Sequence, residues 1–298
     1  MQLIVSVKKL NQRSSVPASL AEKNIIGTVQ QGFRFEGEEV TEVKNPALGK
    51  WYKDRDNSYY WGGGLVIEQP RVDSNINGLP VNLPLNFKVG IDISHYNQHP
   101  DWTAINDAGV SFVYIKISEG VGTPDMKAKE HADNAKQSGL RIGYYHFCRP
   151  DKRNGGFVES DATAEADEAL NIITGLQKPD LPLVLDLEDQ TNWDTPLTKP
   201  DYLLWVTTFL NRINEMSGTD CIIYSRKEYL ERKLPIDHNL GRYKLWLSYY
   251  PPLPDANKTT CPAGWVDWSI WQYTEKGVIG DNPKIDINVS KDDSIFLT

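Results

Sequence analysis

The sequence predicts an α/β protein: an irregular, TIM-like barrel of eight strands in (β/α)5β3 order, preceded by a small all-β barrel. Three observations carry this. Residues 1–70 hold short alternating segments separated by Gly, Asn and Asp turns. From Lys88 onward, apolar runs of about four to eight residues alternate with stretches whose apolar positions fall at helical spacing. After the sixth run the helical stretches stop. A chain of 298 residues has room for one barrel-sized domain and a small partner.

In the first part the strand candidates are residues 3–7, 27–29, 33–35, 50–52 and 59–62. Residues 71–87 are read as a linker, because Pro70, Pro80 and Pro84 with intervening Asn and Gly leave no hydrophobic periodicity. In the second part, residues 88–298, strands are expected at 89–93, 112–117, 141–147, 183–187, 222–224, 244–248, 269–272 and 285–288. Helices are expected at 102–108, 126–138, 159–174, 202–216 and 227–232, and Gly109, Gly139, Gly175 and Gly218 stand where C-caps belong. Strand, helix, strand in succession implies a parallel sheet with right-handed crossovers, and about eight strands is the number that closes a barrel. The alternative, an open doubly wound sheet, lacks a Gly-rich phosphate loop after its first strand.

Composition excludes several functions. A net charge of -8 with no basic stripe argues against nucleic acid as partner. The apolar run Leu3, Ile4, Val5 is too brief for a signal-peptide core, and no later run approaches membrane-spanning length, so no membrane insertion is expected. Cys148, Cys221 and Cys261 lack metal-ligand spacing and read as free thiols rather than a disulfide framework. No metal or cofactor is expected, and the chain is expected to act as a monomer.

In α/β barrels reactive groups sit at the C-terminal ends of strands. The polar groups there are Asp92 and Ser94, Glu119, Tyr145 and His146, Asp186 and Glu188, Tyr224, Trp246 and Ser248, Gln272, and Asp286 with Asn288. Strand periodicity puts Asp186 and Glu188 on one face and Leu185 and Leu187 on the other. Crowding two acids beside Asp92 and Asp286 raises the proton affinity of at least one, as a general acid requires. A single Asp at a strand end could equally cap a loop or pair with Lys or Arg. Four gathered acids make that account weak, and a hard divalent cation remains a second alternative. Twelve Tyr and Trp residues in or beside these strands, Tyr96 among them, suit a carbohydrate site, although each taken singly is more often core.

These residues resemble glycoside hydrolase family 25. The matching pieces are Gly90-Ile91-Asp92-Ile93-Ser94, residues 112–120 around Lys116 and Glu119, Gly143-Tyr144-Tyr145-His146-Phe147, and Asp186-Leu187-Glu188. Ile223-Tyr224-Ser225, Leu245-Trp246, Trp271-Gln272-Tyr273 and Ile285-Asp286-Ile287-Asn288 complete the set, in order over about residues 88–298. The resemblance implies hydrolysis of the β-1,4 bond between N-acetylmuramic acid and N-acetylglucosamine in bacterial peptidoglycan, with net retention and possible substrate assistance. It casts Glu188 as general acid, Asp186 as its partner at the reacting centre, and Asp92 and Asp286 as flanking acids that orient and tune them. Tyr145, Tyr224, Trp246, Gln272, Glu119 and Tyr96 are the expected substrate-binding residues. Residues 1–70 resemble, more weakly, a bacterial Src-homology-3-type domain, through residues 10–14, 29–32, 51–55 and 59–63. Such domains in cell-wall enzymes often grip peptidoglycan; a packing module is the alternative. A non-catalytic saccharide-binding barrel and a chitinase-like glycosidase are the rival readings of the second part. The missing export signal suggests a phage or prophage lysin, an effector with dedicated delivery, or a removed leader.

Overall fold

The computed structural model describes residues 2–43, 45–68, 76, 78–84, 86–190 and 197–297. They fall into two compact units, 1–73 and 74–298. Part of the stretch expected to be a linker, residues 71–75, 77 and 85, lies outside the described residues.

Alternation in the first unit produces seven strands: β1 (Gln2–Val5), β2 (Lys9–Arg13), β3 (Ile25–Gln30), β4 (Arg34–Glu39), β5 (Trp51–Asp54), β6 (Tyr59–Trp61) and β7 (Leu65–Glu68). They form one antiparallel sheet in the order β3-β2-β6-β5-β4-β1-β7, around a small core of Val5, Leu10 and Tyr60. Two strands, β2 and β7, were not expected. The β5–β6 turn is made by Asp54, whose Oδ1 accepts from Asp56 N at 2.9 Å and Ser58 N at 2.8 Å while Oδ2 accepts from Tyr60 OH at 2.9 Å.

The second unit contains β8 (Lys88–Ile93), α1 (Trp102–Asp107), β9 (Phe112–Glu119), α2 (Ala128–Gln137), β10 (Arg141–Phe147), α3 (Val158–Thr174), β11 (Val184–Asp186), α4 (Lys199–Ser217), β12 (Ile222–Ser225), α5 (Lys227–Lys233), β13 (Lys244–Ser248), β14 (Ile270–Ile279) and β15 (Asn282–Ser290). The strands close into a barrel in the order β10-β11-β12-β13-β14-β15-β8-β9. Five helices and three bare strands follow the expected order. Helix α4 begins three residues earlier than expected because Thr198 caps it, accepting from Asp201 N. Gly109, Gly139 and Gly218 take positive φ after their helices, whereas Gly175 stays right-handed at φ -91.

One expectation is corrected: the sheet is not parallel throughout. Strand β15 runs antiparallel to both β14 and β8. The connection from Ile279 to Asn282 is a tight hairpin, and two residues cannot make the crossover a parallel pair needs. Residues 79, 83 and 87, within the supposed linker, pack on the barrel's outer core, and Val81 bridges to Asp255.

Outward residues such as Val89, Ile91 and Ile93 pack under the helices in the large core. Inside the barrel, Phe112, Tyr114, Val184, Ile222, Trp246 and Ile270 fill the lower half. Two glycines make room for the rings: a Cβ at Gly90 would lie 2.2 Å from Phe112, and one at Gly143 2.4 Å from Tyr114. This plug closes the barrel from below, so polar groups gather only at the mouth.

Candidate active site

The cleft at the mouth, about 640 Å³ including its open side, is lined by Asp92, Asp186, Glu188, Asp286, Lys116 and Ser94 among polar groups, and by Tyr96, Tyr145, Tyr224 and Trp246 among aromatics. Strand β11 delivers Asp186, and the alternation continues one step to Glu188, with Leu185 and Leu187 buried in the outer core. Asp92 is the last residue but one of β8, and Asp286 lies directly opposite it on β15. Because β15 is antiparallel, Asp286 reaches the mouth from the middle of its strand and not from a C-terminal end.

Asp92 is the best-satisfied acid. Its Oδ2 accepts from Gln272 Nε2 and Asn288 Nδ2, each at 2.8 Å. Asn288 Oδ1 accepts in turn from Trp246 Nε1 at 2.8 Å, and Gln272 Oε1 accepts from Tyr224 OH at 2.7 Å and from Tyr250 OH. Burial raises the Asp92 carboxyl, and these donors with Asp286 oppose the rise. Asp286 is pushed up to about 9, first by burial and then by the charge of Asp92 and the hydrogen bond between the two carboxyls. Of this pair, Asp92 carries the charge and Asp286 the proton.

Asp186 is nearly inaccessible, and its Oδ1 has no hydrogen-bond partner among the described residues. Burial first, then the charge of Glu188, hold its carboxyl well above the usual range, with Lys116 opposing. Glu188 is raised by burial; Arg226, Lys116 and a hydrogen bond with Asp186 pull it down, while Asp92 pushes it up. Burial thus raises the proton affinity of both members of this pair, against the pull of Lys116 and Arg226.

Several expected residues take other places. Gln272 is buried behind Asp92 rather than on the cleft wall. Glu119 does not face the cleft: it accepts from Lys116 Nζ at 2.7 Å and Arg149 Nε at 3.1 Å. Burial would raise its carboxyl, but those cations hold it low. His146 points outward by the same alternation that turns Tyr145 and Phe147 into the cleft; its Nδ1 meets Ser118 Oγ, brought to that face by a bulge at Ile117 in β9, and its Nε2 meets Glu165 Oε2, each at 2.8 Å. With Cys148 these form the group nearest to metal-ligand spacing among the described residues, but His146 and Glu165 already occupy each other and are buried outside the cleft. Tyr114, Trp265, Trp268, Trp271 and Tyr273 are core. Lys116 and Tyr250, seen in the sequence only as part of a matching segment and as one of the twelve aromatics, were not expected as site residues; a lysine inside the apolar run Phe-Val-Tyr-Ile-Lys-Ile was the available signal for the first.

A carboxylate cluster walled by aromatic rings at the mouth of a closed α/β barrel has the form of a glycoside hydrolase site. The chain belongs to glycosyl hydrolases family 25, whose family model matches residues 91–282. It is 28 % identical to Lysozyme M1 of Streptomyces globisporus over 196 residues, covering 64 % of this chain and 63 % of that one. Autolytic lysozyme of Clostridium acetobutylicum is 27 % identical over 190 residues, which make up 64 % of this chain and 51 % of the relative. The chain thus spans less than two thirds of the length of these relatives. The bacterial lysozyme of Streptomyces coelicolor superposes with a TM-score of 0.58 at 26 % identity, over 67 % of this chain and 90 % of that one.

Proposed function

We propose that the protein hydrolyses the β-1,4 bond between N-acetylmuramic acid and N-acetylglucosamine in bacterial peptidoglycan, with net retention. The relatives named as lysozymes support this reading, and the observation that carries it is the buried Oδ1 of Asp186 on the cleft wall, without a partner among the described residues. An orphaned buried oxygen is costly unless a ligand completes it. The sugar ring offers two completions, an electron-poor anomeric carbon or an acetamido N–H, and either favours the carboxylate of Asp186. The proton of the pair then rests on Glu188, which gives it to the leaving oxygen as general acid and takes one from water in the second step. Asp92, charged and held by two amides, steadies the positive transition state, and Asp286 supplies the proton that keeps the pair from carrying two charges. Tyr145, Tyr224, Trp246 and Tyr96 line the saccharide path, with Gln272 and Glu119 acting from behind through Asp92 and Lys116.

Residues 88–298 form the catalytic domain in this reading, and residues 1–70 an SH3-like module, joined by 71–87, that holds the enzyme on the cell wall as a single chain. Half-exposed Trp61 and Phe33 suit such a contact. The test is mass spectrometry of soluble fragments from purified peptidoglycan treated with wild type and Glu188→Gln. Fragments ending in reducing N-acetylmuramic acid, absent with the variant, are expected. Reducing N-acetylglucosamine ends, or fragments from both proteins, would overturn the assignment.

A further inference from the structure

Tyr96 lines two cavities. One is the acid cleft; the other, about 810 Å³ including its open side, lies between the segment following β8 and the tip of the β14–β15 hairpin. We propose that the glycan strand continues over Tyr96 into this second groove, which takes sugar units beyond those at the acids, with Lys284 meeting an anionic substituent of a muramic acid unit. The proposal rests on the reading of the acid cleft given above.

Both walls of the groove are held in place. Buried Asp125 accepts from His95 N at 3.0 Å and faces His95 Nδ1 at 2.7 Å, and the His95 ring lies 4.1 Å from that of Tyr96. Tyr96, 81 % exposed, is thus a supported ring open on its free side, the form of a sugar-stacking platform. Opposite, buried Asn282 clamps the hairpin: its Oδ1 accepts from Asp101 N at 2.7 Å and its Nδ2 donates to Ile279 O at 2.9 Å. Gly280, at φ +56, lets the hairpin tip close on α1, where a Cβ would lie 2.6 Å from Ala104.

The polar groups left over suit a substituted sugar. Asn97 uses its Oδ1 to accept from Ser94 N, and Gln98 uses its Nε2 to donate to His95 O, so Asn97 Nδ2 and Gln98 Oε1 remain for hydroxyl and acetamido groups. Lys284 is the extra residue of a bulge between the pairs Gly277–Ile285 and Val278–Pro283. Its backbone takes φ +55, and its exposed ammonium has no ion-pair partner among the described residues. A long cationic side chain in the left-handed region is unusual, and such outliers collect at ligand sites. Neutral chitin would give this lysine nothing to meet, whereas muramic acid strands carry carboxylates on lactyl groups or stem peptides.

Lys284→Gly removes the side chain and relieves the backbone, so the variant folds at least as well as wild type. Affinity is measured by calorimetry in a Glu188→Gln background, and turnover with Glu188 intact, for glycan strands of several disaccharide repeats and for a tetrasaccharide of the same repeat. Expected for Lys284→Gly are a melting temperature no lower than wild type and about five- to tenfold weaker affinity and higher KM on long strands, the effect of one charged contact. Tetrasaccharide affinity and turnover stay unchanged. Equal effects on both ligands, no effect on either, or an equal loss on a neutral chito-oligosaccharide of matching length would overturn the proposal. Lys284-dependent binding of long strands without cleavage would overturn the cleavage reading and leave the groove standing.

Discussion

Replacing Asp286 by Asn should stabilise the protein, and by an amount that grows with pH. Asp286 keeps its proton to about pH 9 in the folded state, against an ordinary value of 3.8. A group whose folded pKa is raised contributes no cost below its unfolded pKa, and stability declines as pH climbs towards the folded pKa, because only the native state then binds the proton. The slope is about 1.4 kcal/mol per pH unit, so between 3.8 and 7 the accumulated cost reaches about 4 kcal/mol. Water in the open cleft screens part of this, and about 2–4 kcal/mol is expected at pH 7. Asparagine has no proton to bind, yet its amide can still donate to Asp92. Urea denaturation of both proteins at pH 4.5, 6 and 7.5 should show curves that nearly coincide at the lowest pH and separate progressively above it, with the variant the more stable. A constant difference, or a less stable variant at pH 7.5, would refute the picture of a neutral Asp286 beside a charged Asp92.

Asn288→Leu removes one amide from Asp92 and the acceptor of the Trp246 indole. Leaving both buried groups short should cost about 2–4 kcal/mol in urea denaturation and lower peptidoglycan turnover at least tenfold. Gly90→Ala drives a methyl into the Phe112 ring; a loss of about 1–3 kcal/mol is expected, read as a lower melting temperature with the Glu188-dependent fragments still formed.

The barrel was legible because its evidence is local. Each of the five crossover helices carries its own periodicity, and the eight apolar runs announce themselves without knowledge of their partners. Direction is not local in that sense: nothing in the run 285–288 says which way it enters the sheet, and only the two-residue connection before Asn282 settles it. The acids at 92, 186, 188 and 286 stood out because carboxylates are rarely placed inside apolar runs. Gln272 was found as a site residue but for the wrong wall, since alternation predicts the inward face and not whether an aspartate stands in front. His146 stands at a strand end but beside inward Tyr145, so alternation turns it out of the cleft, where Ser118 and Glu165 meet it. Glu119 looked like a cleft acid until Arg149, thirty positions away, came to pair with it.

Four acids in one cleft would be interchangeable if burial alone set their protonation. What separates them is the distribution of donors. Both carboxamides go to Asp92, and no side-chain amide reaches Asp186 or Glu188 among the described residues. Asp92 is therefore the acid the protein itself can keep ionised, and Asp286 protonated is the consequence. Asp186 and Glu188 are left with a distant balance of Lys116 and Arg226 against their mutual repulsion, so whatever enters the cleft decides which of them holds the proton. A site that fixes the charge of one pair and leaves that of the other to the ligand has divided the labour of four like groups before any substrate is present. On this argument the amides of Gln272 and Asn288, which need touch no sugar, matter to catalysis as much as the carboxylates that do.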